Sequence, residues 1–124
     1  MAVPAFCSGS ATAETIFPIL AIFPPVLDLP RYPFTTYAIN GAPEDAGVVL
    51  LWQDDELVYV GATGPAGGIQ GLLRRHHEQG TPCMRQATHY SWEIRRDPKA
   101  RELELLRWFA GQHKRAPRCN GEAA

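Results

Sequence analysis

Residues 47–61 read Gly47-Val-Val-Leu-Leu-Trp52, then Gln53-Asp-Asp55, then Glu56-Leu-Val-Tyr-Val60, closed by Gly61. Two short runs rich in β-branched and apolar residues around a turn-forming centre predict a β-hairpin. Next comes Gly61-Ala-Thr-Gly-Pro-Ala-Gly-Gly68, expected to be a flexible connector. It lacks a Gly-Lys-Ser/Thr ending and any Gly-x-Gly-x-x-Gly, which excludes the usual triphosphate and dinucleotide cradles. A stretch from a glycine-rich loop into a helix could still sit beside a backbone phosphate.

Beyond the loop, Ile69, Leu72 and Leu73 recur at helical spacing, and Gly80 supplies a stop, so a short helix is predicted over Ile69 to Gln79. Thr88-His-Tyr-Ser-Trp-Glu-Ile94 alternates as a half-buried strand does, with Tyr90, Trp92 and Ile94 on the inward face. Asp97-Pro98 then caps a second helix, whose apolar stripe is expected to be Leu103, Leu106, Phe109 and Ala110 before Gly111. The order strand, strand, helix, strand, helix predicts an α+β fold, a three-stranded antiparallel sheet flanked by helices.

Residues 1–36 hold more than half of the eleven prolines and show no sustained period, so they are expected to form a Pro-rich arm. The domain is placed at 37–120 and a tail at 121–124. The arm carries Ile16, Phe17, Ile19, Leu20, Ile22, Phe23, Val26 and Leu27, apolar enough to suggest packing on the domain, self-association or a protein partner.

At 124 residues the chain has room for one core. Prolines and charges break its most apolar stretch, residues 16–31, which excludes a membrane span. No lysine or arginine precedes Arg31, which argues against a secretory signal. Cys7, Cys83 and Cys119 are odd in number and widely spaced, without a Cys-x-x-Cys pair. They are expected to be unpaired, small and largely buried in a chain that resides in the reducing cytoplasm.

The net charge of -1 conceals an asymmetry. Residues 1–61 carry one basic and seven acidic side chains, a balance of -6; residues 62–124 carry eleven basic and six acidic, a balance of +5. Nine of those eleven are arginines, whose planar fork suits phosphate, so nucleic acid is a candidate partner, with a solvated helix surface as the alternative.

From Gly47 onward the features share one order. Gly47-Val48-Val49 precedes Tyr59-Val60-Gly61, a helix with His76, the Ala87-Thr88-His89 strand, an Ala100-Arg101-Glu102 helix and Pro117-Arg-Cys-Asn120. In this the chain resembles the GIY-YIG nuclease superfamily over roughly residues 45–120, most closely its small stand-alone bacterial members. The resemblance implies hydrolysis of DNA phosphodiesters with one divalent metal, Mg²⁺ or Mn²⁺. It implies Tyr59 as base or positioner of the attacking water, His76 as its aid, and Glu102 as metal ligand, with Glu104 as the competing register about 200° around the helix. Val49 stands where the first motif expects a tyrosine, and Leu72 where the helix expects an arginine. Arg75, one turn beyond Leu72, is the candidate replacement, and Arg74 with Arg75 the candidate nucleic-acid contact. The alternative implied by Val49 and Leu72 is a catalytically silent module that binds nucleic acid or protein.

Overall fold

The computed structural model describes residues 28–121. Residues 1–27, with most of the expected arm, and residues 122–124 lie outside the described residues. The elements in chain order are β1 (Tyr32–Pro33), α1 (Thr36–Ile39), β2 (Gly47–Gln53), β3 (Glu56–Ala62), α2 (Gly68–Gln79), α3 (Pro82–Arg85), β4 (His89–Ile94) and α4 (Pro98–His113).

The class is α+β, but the sheet has four strands in the order β1-β4-β2-β3, every pair antiparallel. The strand beyond the expected three is β1, only two residues long, which pairs Tyr32 with Tyr90 and Pro33 with His89. It comes from the stretch expected to be arm, and Phe34 just after it is buried. Side chains fix this segment where the backbone pairing is short. Trp52 Nε1 donates to Ser91 Oγ (3.1 Å), which donates to the Pro30 carbonyl (2.7 Å). The Arg31 guanidinium lies 3.7 Å from the centre of the Trp52 ring.

Both faces of the sheet are covered. Val49, Leu51 and Tyr90 pack beneath Ile69, Leu72 and Leu73 of α2, while Val48, Leu50, Trp52 and Val60 pack against Leu105 and Phe109 of α4. This explains two departures from the expected alternation. Ser91 is buried like its neighbour Tyr90, because the second face is not solvent, and Ile94, at the strand end beyond both helices, is 52% exposed. On α4 the buried pair is Leu105 and Phe109; Leu103 and Ala110 face outward. Leu105 and Phe109 lie four apart on one stripe, about a quarter turn from the centre of the stripe expected from the sequence. Gly111 lies inside α4, with no neighbour near where a Cβ would be, so it does not end the helix.

Two one-turn helices were not foreseen. Each begins on a threonine whose hydroxyl accepts an amide: Thr35 from Ala38 and Thr81 from Met84.

The cysteines also depart from expectation, since Cys83 and Cys119 form a disulfide. Their separation of 36 residues in the chain hid a pairing that α3 and the C-terminal segment bring about in space. That segment runs beside β3: Cys119 N–H donates to the Val58 carbonyl (2.8 Å), and Asn120 both accepts from Val60 N–H and donates to its carbonyl, each at 2.9 Å.

Candidate active site at the edge of β3

Tyr59 owes its position to a bulge. Leu51 faces Tyr59 while Trp52 faces Leu57, so Val58 is an extra residue, and Val58 and Tyr59 both pack on the α2 side of the sheet. The ring folds back along the strand over Gly61, where an added Cβ would lie 2.7 Å from the Tyr59 hydroxyl. A side chain at position 61 would have to displace the Tyr59 ring.

His76 descends from α2 onto this ring, edge to face, with 5.0 Å between ring centres. Its neighbour His77 instead meets Phe34, also at 5.0 Å, as the 100° step between adjacent helix positions demands. Nε2 of His76 is buried and has no hydrogen-bond partner among the described residues. Burial, assisted by the Arg75 charge, pushes the imidazole down to about 4. It is therefore neutral at pH 7.

The Tyr59 phenol is pushed up, first by burial and then by the Glu102 carboxylate, with Arg75 opposing. It keeps its proton at neutral pH and serves as a donor. Glu102 arrives from the second turn of α4, its side chain 15% exposed, and pairs with Lys99 Nζ at 3.1 Å. Glu104 is 66% exposed and bound to Arg101, away from this cluster. The helix phase thus separates the two registers.

Of the sequence-designated residues, Tyr59 of β3 and His76 of α2 meet ring to ring, and the charges of Arg75 on α2 and Glu102 on α4 are near enough to act on the Tyr59 phenol. Arg74 does not join them. It lies on the other flank of α2, where Nη2 donates to Asn40 Oδ1 at 2.7 Å. Val49 is fully buried and Leu72 nearly so, both inside the core beneath α2.

The glycine-rich loop is not a phosphate cradle. The amides of Ile69 and Gln70 at the start of α2 donate to the carbonyls of Asp45 and Pro43. Gly68 has φ +59°, and a Cβ there would overlap the Glu44 carbonyl. The loop is thereby docked.

Among the described residues no group of three or more His, Cys, Asp or Glu side chains could hold a metal ion. Glu102 is a single carboxylate, which fits Mg²⁺ completed by substrate phosphate and water, not an ion caged by protein alone. No described helix is long and apolar enough to cross a membrane. Asn120 was visible in the sequence within Pro117-Arg-Cys-Asn120 without an assigned role; its bonds to Val60 place it directly beside Tyr59. Compared with family models, with curated proteins and with solved structures, the chain has no match.

Proposed function

We propose that this chain is a GIY-YIG-like domain acting on nucleic acid, a weak metal-dependent endonuclease that hydrolyses phosphodiester bonds at the β3 edge. The observation that supports the reading is the ring contact of Tyr59 with His76, with the charges of Arg75 and Glu102 near enough to act on the Tyr59 phenol. Water positioned by Tyr59, with His76 as its aid, attacks phosphorus as the bond to the leaving oxygen breaks; the water's proton passes to solvent and the leaving oxygen takes one up from solvent. Tyr59 donates a hydrogen bond that orients the water or a phosphate oxygen. Arg75, exposed beside both, offsets the charge that grows on the phosphate. Glu102 would hold the Mg²⁺ or Mn²⁺ ion, which when bound neutralises phosphate charge and acidifies a water. Residence in the cytoplasm is part of the proposal, but the ground of unpaired cysteines does not hold for Cys83 and Cys119, which form a disulfide.

Nicking of supercoiled plasmid by the purified protein, with Mg²⁺ or Mn²⁺ against EDTA, is the test, with Glu102→Ala prepared identically. Cleavage lost in both controls supports the reading; no cleavage by the wild type overturns it.

The second reading is a catalytically silent nucleic-acid-binding module. It is favoured by the burial of Val49 and Leu72, which leaves two polar positions empty of function. One lost transition-state donor costs about 2.7–4 kcal/mol of barrier. Salt-sensitive binding that needs no metal is its signature.

A further inference from the structure

Across α2 from Tyr59, a cavity of about 440 Å³ opens between β1, α1 and β4, lined chiefly by Tyr32, Tyr37, Tyr90, Trp92, Asn40 and Gly41. Four of these six are aromatic, although aromatic residues are 10% of the chain. The walls are held rigidly. Tyr32 and Tyr90 are paired at 5.4 Å, and the Tyr90 hydroxyl is anchored to the Ala38 carbonyl at 2.7 Å. Tyr37, on the threonine-capped α1, is 90% exposed, with no aromatic partner among the described residues.

The rim is cationic. Asn40 holds the Arg74 guanidinium at 2.7 Å, and Gln70 braces the same corner by donating to the Asn40 and Ala42 carbonyls, both at 3.1 Å. A guanidinium has five N–H donors and this corner engages two of them, so the others can meet a phosphate. Flat π-faces, amide and phenol groups at the edges and a fixed cation at the rim complement a planar base attached to an anionic backbone. A Pro-rich peptide would use the aromatic faces but leave the Arg74 guanidinium without an anionic partner.

We infer that this pocket takes an unstacked nucleobase of a single-stranded or locally opened nucleic acid, stacked on Tyr37, with Arg74 on the adjoining phosphate. The inference rests on the nucleic-acid reading above and names a second contact on the same substrate, on the opposite flank of α2.

The experiment uses the full chain in EDTA and follows fluorescence anisotropy of a labelled oligodeoxyadenylate and of an abasic strand of equal length and charge. The wild type is expected to bind the adenylate strand about tenfold more tightly than the abasic one. Tyr37→Ala is expected to abolish that difference without weakening the abasic strand, and Tyr37→Phe to preserve it. Because Tyr37 is exposed, these variants keep the fold. Equal affinities of wild type and Tyr37→Ala for the adenylate strand overturn the inference while leaving the nucleic-acid reading intact. Absence of any binding at low salt overturns both. Saturation by free adenosine monophosphate as tight as by the strand overturns the strand assignment in favour of a free nucleotide.

Discussion

Asn120 and Val60 exchange two hydrogen bonds of 2.9 Å, so a side chain near the end of the described chain pairs with the backbone of β3 as a strand would. Asn120→Ala leaves the Val60 amide and carbonyl without these partners. Stability is expected to fall by about 1–3 kcal/mol in urea titration, and plasmid nicking with it, because Val60 adjoins Tyr59.

His76 predicts an acid-sensitive fold. The unfolded imidazole takes a proton near its ordinary 6.5, whereas the folded one resists until about 4. Between those values the unfolded chain binds more protons, so stability is complete above the upper value and declines as the pH falls through the window. Thermal midpoints of wild type and His76→Gln, compared across it, should show a steeper decline for the wild type. Glu93 contributes from the acid end of this window downward. Burial raises its pKa, but hydrogen bonding and charge from Arg101, with help from Arg95, hold it below the ordinary 4.5, and its stabilisation disappears on further acidification.

The Cys83–Cys119 link closes a loop spanning 36 residues. Loop-closure entropy assigns it about 4 kcal/mol. Denaturation with and without dithiothreitol should show a loss of that order, and nicking measured under the same reducing conditions should decline.

Glu102→Gln is expected to lower metal-dependent nicking at least about a hundredfold, by analogy with loss of a transition-state electrostatic group. Glu104→Gln, which only weakens an exposed pair with Arg101, should leave nicking unchanged and stability within about 1 kcal/mol. Lys99→Ala removes the cation now paired with Glu102 and should lower the Mg²⁺ concentration needed for half-maximal nicking.

Gly61→Ala puts a methyl group 2.7 Å from the Tyr59 ring and must displace it. Overpacking of this kind costs about 1–3 kcal/mol, measurable by urea denaturation. Nicking should fall further than the stability change alone explains.

The hairpin, both long helices and β4 are legible in the sequence because each carries a local period or a cap, as Asp97-Pro98 does for α4. What escaped is non-local. Two residues of β1 carry no period, and their pairing with Tyr90 and His89 depends on the Trp52–Ser91–Pro30 chain of hydrogen bonds. The disulfide depends on α3, a single turn that leaves only Thr81-Pro82 as its trace. Of the site, Tyr59, His76 and Glu102 were singled out by their order along the chain, and the phase of α4 separates Glu102 from Glu104. The aromatic pocket is not legible because Tyr32 and Tyr37 lie far along the chain from Tyr90 and Trp92.

The C-terminal segment has a consequence for life in a crowded solution. β3 is an edge strand rich in apolar residues, and unsatisfied backbone groups on such an edge invite another chain to add a strand. Cys119 and Asn120 occupy the outward groups of Val58 and Val60, as a stopper closes a vessel. Opening the disulfide frees the stopper, and the same event that loosens Tyr59 then uncovers a template for aggregation.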